Sequence, residues 1–138
     1  MHYWRGLKVT NGLMTGTSVG YFSNHFSLYG WGGLSIDGSY TEVTGIAKYT
    51  NKNYSLTLVD IDNFSGLPKV DYFNYKAKET NHIVDLTAAY QFPFMSLSWS
   101  TVLYGNDRVV GTSTQRYLEL GFNAALNEAS IQLAIDLF

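Results

Sequence analysis

Three histidines, two closely spaced aspartates and a set of charged residues on alternating segments are the side chains here with chemistry to offer. His2, His25 and His82 lie too far apart to form a metal-binding pair on one element, so each reads as a surface or turn histidine. Asp60 and Asp62 are two residues apart, which in a strand puts both on one face. With Asp71 nearby they could offer hard oxygen ligands to a cation such as calcium; equally, they are ordinary solvated acids bordering a loop. No Ser-His-Asp spacing, glycine-rich phosphate loop or carboxylate pair stands out. No catalytic residue, metal or cofactor is therefore assigned, and no enzymatic activity is expected. The chain has no cysteine, which excludes disulfides, thiolate zinc sites and cysteine nucleophiles.

The remaining polar candidates are Glu42, Lys48, Asp85, Gln91, Glu119, Gln132 and Asp136. Each falls on the polar side of a segment that alternates between apolar and polar residues. If such segments crossed a bilayer, these residues would point to a lumen, because Lys or Arg facing lipid at mid-membrane costs about 2–4 kcal/mol. In a narrow interior they would pair and plug it. In a wider one they would line a water path and bias ion choice.

The elements that must position them are strands. Leu97, Trp99, Thr101 and Leu103 alternate with Ser96, Ser98 and Ser100; Leu118, Leu120 and Phe122 alternate with Tyr117, Glu119, Gly121 and Asn123. Ile131, Leu133, Ile135 and Leu137 do the same against Gln132, Ala134 and Asp136, and so does His82–Phe92. Period-two alternation is the signal of a strand with two unlike faces. Weaker strands are expected over Tyr3–Thr10, Leu13–Phe22, Phe26–Ile36, Tyr40–Thr50 and Tyr54–Ile61, with Gly20, Gly30, Gly32 and Gly45 on one face. The stretch Ala124–Ala134 has helix-favouring residues, but the alternation of its apolar positions argues for a strand.

Asn11-Gly12 and Asp37-Gly38 are hairpin signals. Asn24-His25, residues 51–53, Pro93 and Asn127-Glu128 mark further corners, and the stretches Asn63–Val70 and Gly105–Gln115 are longer connections. If Asp71–Phe92 is one long strand, nine strands result, and tight connections alternate with long ones. That sorting is the habit of outer-membrane barrels. If Asp71–Phe92 instead turns near Lys78–Asn81, there are ten. The expected fold is thus all-β: an antiparallel up-and-down β-barrel, or a barrel-like curved sheet, of about nine or ten strands in a single domain, residues 1–138, which either gains its even strand number from that hairpin or stops short of its closing strands.

Composition agrees. Of the 138 residues only 14% are charged, against about 25% in an average soluble domain, while 16% are aromatic and 46% hydrophobic. That apolar content with a net charge of −2 excludes disorder. A sequence pI near 5.8 argues against nucleic acid as a partner. No apolar run is long enough for a membrane helix. No leader is visible after Met1, so the chain reads as cytosolic, mature or cut from a precursor.

Tyr3-Trp4-Arg5-Gly6 followed by Asn11-Gly12 resembles the start of TorF-type porins. Residues 26–33 (FSLYGWGG), 71–75 (DYFNY) with Glu79-Thr80, and 117–121 (YLELG) look like strand motifs of that family, most closely of its Bacteroidetes-type members. The resemblance covers Tyr3 to about Asn123. It implies an outer-membrane β-barrel in the bacterial outer membrane, porin-like, with the lipid bilayer as partner, small solutes or ions as cargo, and no catalytic residues. Tyr3, Trp4, Tyr21, Tyr49, Tyr90 and Tyr104 are then candidates for interfacial girdles, joined by Tyr40 and Tyr54; Trp31 and Trp99 are too central to fit. A terminal aromatic, here Phe138, is a common assembly signal of such barrels, although Leu137 and not Phe138 shares the apolar face. The competing class is a soluble barrel of the fatty-acid-binding or lipocalin type, its apolar faces turned inward around a ligand.

Overall fold

The structure is a computed structural model. It describes residues 2–4, 7–10, 13–76, 79–105, 116–123 and 130–137, with side chains described for 13–76 and 79–105. Ten strands follow in order: β1 (His2–Trp4), β2 (Leu7–Thr10), β3 (Met14–Phe22), β4 (Phe26–Ser35), β5 (Thr41–Asn51), β6 (Tyr54–Asn63), β7 (His82–Gln91), β8 (Met95–Gly105), β9 (Arg116–Asn123) and β10 (Ser130–Leu137). No helix occurs among the described residues. Strands β3 to β10 form one antiparallel sheet in which each pairs with its neighbours in sequence, while β1 and β2 pair with one another in a separate two-stranded ribbon. Among the described residues β3 and β10 are the two edges, and the sheet is not closed into a barrel. Of the two expected forms, the barrel-like curved sheet is the one observed.

Register sorts the side chains into two faces. One row runs Gly20, Tyr29, Ile46, Val59, Asp85, Val102, and the next row on that face runs Phe22, Ser27, Lys48, Thr57, Thr87, Ser100. On the opposite face Val19, Gly30, Gly45, Asp60 and Val84 form a row, followed by Tyr21, Leu28, Ala47, Leu58, Leu86 and Thr101. The two faces differ in exposure. Thr44, Ile46, Ile83, Asp85, Ser100 and Val102 on the first are buried, whereas on the second Val19 is 80% exposed, Leu28 55% and Leu58 42%. The sheet is curved, and the difference in exposure follows its curvature: the hydroxyl-bearing face is concave and the apolar face convex.

The concave face also accommodates its one large indole. Trp31 lies across Gly33, where an added Cβ would come within 2.3 Å of Cη2 of the ring. Gly33 is therefore glycine because the backbone must leave room for the indole. The glycines expected on one face are split by the register: Gly20 falls on the concave side, Gly30, Gly32 and Gly45 on the convex side.

Connections differ by end. Residues 23–25, 52–53 and 92–94 link strands at one end of the sheet; residues 36–40, 64–81 and 106–115 link them at the other. The Asp37-Gly38 turn matches its signal. Gly38 takes φ +72°, a left-handed conformation that glycine adopts without strain, and Asp37 Oδ1 accepts from the Ser39 amide at 3.1 Å and the Ser39 hydroxyl at 2.7 Å. The Asn11-Gly12 turn and the corner at Asn127-Glu128 lie outside the described residues.

Two strand assignments need correction. Tyr3–Thr10 is not one strand: Tyr3 pairs with Lys8 and Trp4 with Leu7. Asp71–Phe92 is neither one long strand nor a hairpin, since the described residues of 71–81 are turns and irregular chain and β7 begins at His82. The aromatic run Tyr72, Phe73, Tyr75 mimics a strand pattern but is tied to the sheet through Tyr72 and Tyr75, by the Tyr72 carbonyl to His82 in β7, the Tyr75 hydroxyl to Asp60 in β6 and the Tyr75 carbonyl to Tyr104 in β8. The count of ten thus arises from a short N-terminal ribbon. At the other end, β10 starts at Ser130, and residues 124–129 lie outside the described set.

Candidate functional site

The first candidate is the concave face. Glu42, Lys48, Asp85 and Gln91 all occupy its rows, Glu42 opposite Gly33 and Asn63, and Gln91 opposite Ser96. In β9 and β10 the positions of Glu119, Gln132 and Asp136 continue the same rows, through Ser98↔Glu119, Gly121↔Gln132 and Tyr117↔Asp136. All seven sequence-derived positions therefore belong to one face of the sheet. Toward the tight-turn end the face carries small groups, Ser27, Ser55, Ala89, Ser96 and Ser98, and toward the other end larger ones, Trp31, Ile46, Ile61 and Ile83.

Two polar clusters organise this face. Glu42 accepts from the Tyr40 hydroxyl and, at 2.6 Å, from the Thr44 hydroxyl. Asp85 accepts from Thr87 Oγ1 at 3.2 Å, and Thr87 exchanges a 2.6 Å hydrogen bond with Ser100 across β7 and β8. Buried carboxylates need such donors, because an unsatisfied ion in a poorly hydrated site costs several kcal/mol. Tyr40, expected at an interface, is instead buried and serves Glu42.

The second candidate is the convex face and its aromatic ends. Tyr21, Phe26, Tyr49, Tyr54 and Tyr90 gather at the end with tight turns, where Phe26 pairs with Tyr49 and Tyr54 with Tyr90. The rings of Tyr49 and Tyr54 are 6.1 Å apart. Of the proposed interfacial aromatics, Tyr21, Tyr49 and Tyr90 lie in this belt, and Tyr104 lies at the opposite end, level with Val84. Tyr3 and Trp4 are in β1, whose side chains are not described. Trp31 is on the concave face; Trp99 is on the convex face opposite Ala88, between the two ends.

A third grouping was not anticipated in its membership. Asp60 and Asp62 do share a face, the convex one, but Asp71 does not join them. His82, at the start of β7, places Nδ1 2.8 Å from Asp60 Oδ1, and its Nε2 lies 3.1 Å from the Tyr72 carbonyl and 3.9 Å from Asp62 Oδ2. Tyr75 stacks on the imidazole at 4.1 Å and donates to Asp60 Oδ2 at 2.5 Å. That hydrogen bond to a carboxylate, with partial burial and the charges of Asp60 and Asp62, pushes the Tyr75 hydroxyl up to about 12. The Tyr104 hydroxyl donates to the Tyr75 carbonyl. Sequence spacing could not find this set, because His82 and Asp60 meet only through the β6–β7 register. No group of His, Asp and Glu among the described residues is arranged to hold a metal ion. His25, for its part, faces the Thr50 carbonyl at 3.0 Å within a turn.

No family model matches this chain, and no curated protein or solved structure matches it either.

Proposed function

We propose that this chain is an outer-membrane β-barrel protein of the porin-like kind that the TorF-type resemblance implies, with its convex face against lipid and its concave face around a water-lined path for ions or small solutes. One observation carries the reading: an apolar face is exposed across β3 to β8, while from β4 to β8 the face opposite, with Thr44, Asp85 and Ser100 buried beside Ile46, Ile83 and Val102, is the sheltered one. In a soluble ligand-binding barrel the apolar face would be the sheltered one. Monomeric soluble proteins rarely expose apolar patches beyond a few hundred Å². Strand length supports the reading further. Strands β3 to β8 run 9 to 11 residues, the length a tilted strand needs to cross a hydrocarbon core.

The channel part of the reading rests on side-chain size. Eight-stranded barrels are ordinarily just wide enough for their inward side chains to fill. Here the inward rows carry Tyr29, Trp31, Ile46 and Val59 toward one end and Ser27, Ser55, Ser96 and Ser98 toward the tight-turn end, where the small groups leave volume for water. The test has two stages. Folded protein in detergent or vesicles is expected to migrate differently in SDS gels before and after boiling, and a cooperatively melting monomer in detergent-free buffer would overturn the membrane reading. Planar-bilayer recording then tests conduction, and a silent bilayer containing folded protein would remove the channel and leave the barrel.

A further inference from the structure

Among the residues of β3 to β8 whose side chains are described, the apolar wall has one charged patch. Asp60 and Asp62 project from the convex face, continuing the side of β6 that carries Leu56 and Leu58. Bare carboxylates there would stand at the edge of the hydrocarbon. They are not bare: Asp62 and His82 are buried, and Asp60 is engaged by both His82 and Tyr75. The cover is the described part of loop 64–81, residues 64–76 and 79–81, whose contacts from Tyr72 to Tyr75 lie over the convex wall. Its far half, Tyr72 to Tyr75, attaches to convex-face groups: the Tyr72 carbonyl to His82, the Tyr75 hydroxyl to Asp60, and the Tyr75 carbonyl to Tyr104; at its root Ser65 bonds to Asn63 and Thr41.

The outer surface of this cover is aromatic. Phe73 is 87% exposed at its tip, flanked by the half-exposed rings of Tyr72 and Tyr75. A fully solvated phenylalanine on a loop pinned by three hydrogen bonds has no packing role within the sheet. Rings with one apolar side and one polar end suit the headgroup zone of a bilayer. The loop also lies at the opposite end of the wall from the belt of Tyr21, Tyr49, Tyr54 and Tyr90, where the second boundary of an apolar band must fall.

Resting on the membrane reading above, we propose that loop 64–81 is a membrane-surface anchor: pinned through His82 and Tyr75, it lays Phe73 and Tyr72 into the lipid headgroup zone and screens Asp60 and Asp62 from the hydrocarbon. The occupant of this surface is lipid.

The absence of native cysteine gives a clean test. Single variants Phe73→Cys, Leu58→Cys and Asp37→Cys are spin-labelled in phosphatidylcholine–phosphatidylglycerol vesicles, and their accessibility to oxygen and to a water-soluble nickel chelate is compared. Leu58 is expected to read as hydrocarbon, Asp37 as water and Phe73 as the headgroup boundary between them. A Phe73 label as watery as Asp37, with Leu58 in hydrocarbon, overturns the anchor and leaves the membrane reading standing. A watery label at Leu58 overturns both. Adding His82→Ala or the milder Tyr75→Phe to Phe73→Cys is expected to shift the label toward water while Leu58 stays in hydrocarbon. An unmoved label in both double variants overturns the role given to the cluster.

Discussion

Replacing Leu58 with arginine separates a lipid-facing wall from a solvent-facing one. Leu58 is 42% exposed and sits between Ala47 and Leu86 on the convex face. In water, a surface substitution of this kind changes stability by about 0.5 kcal/mol or less. Strand β6 has 10 residues; at roughly 3.3 Å per residue it spans about 30 Å, or about 21 Å of membrane depth at a tilt near 45°. Leu58, four residues from the Tyr54 end, then lies about 9 Å up, close to mid-depth. An arginine at the midplane costs about 2–4 kcal/mol, which is roughly 30- to 1,000-fold in the folding equilibrium. The assay is reversible guanidinium unfolding in lipid vesicles followed by tryptophan emission, with Asn53→Arg in the adjacent exposed turn as reference. Equal midpoints for the two variants would refute the placement of this face in lipid, whatever else the protein does.

Other expectations follow from single contacts. Gly33→Ala forces the Trp31 ring to move, since the added carbon would lie within 2.3 Å of it; overpacking of this order costs about 1–3 kcal/mol, read as a lowered unfolding midpoint with a shift in Trp31 emission. Tyr75, held at about 12 by Asp60, should ionise well above 10, the ordinary value, when absorbance at high pH is followed, and Asp60→Asn should return it toward 10. Because its folded value is raised, the stability from this bond is complete below about pH 10 and is lost as pH rises through about 12, so alkaline unfolding should come earlier in Asp60→Asn. Asp37 is lowered to about 2 by hydrogen bonds from Ser35 and Ser39. Its contribution is present above the ordinary value and lost as pH falls through about 2, and Ser39→Ala should raise its NMR titration midpoint toward 3.8.

Much of the fold was legible because a strand writes its two faces into the parity of the sequence. Glu42, Lys48, Asp85 and Gln91 could be placed on one side from alternation alone, and antiparallel pairing keeps that side common to all strands. The ends of β4, β5 and β6 followed from turn residues such as Asp37-Gly38 and residues 51–53. What local pattern could not give was loop 64–81. Tyr72, Phe73 and Tyr75 look like strand residues because β-propensity measures fit to a partly buried surface, but here the Tyr75 ring meets His82 from above the sheet while Phe73 stays exposed. His82 read as an isolated histidine for the same reason: its partners Asp60 and Tyr72 are brought to it by strand register and by a folded-back loop. Tyr40 was misplaced because its position at a strand end suggested an interface, whereas Glu42, two residues on, draws it inward.

The pairing of each strand in β3–β10 only with its sequence neighbours bears on how such a chain can change over generations. A sheet wired this way has a modular unit, two strands and the short turn between them. Duplication or loss of one unit widens or narrows the sheet by a fixed step, keeps every remaining strand antiparallel to its neighbours, and leaves both ends of the chain on the sides they had. No crossover needs rerouting, and no distant contact needs a new partner. Girth can therefore vary while the wall, its inner lining and its two rims are inherited intact.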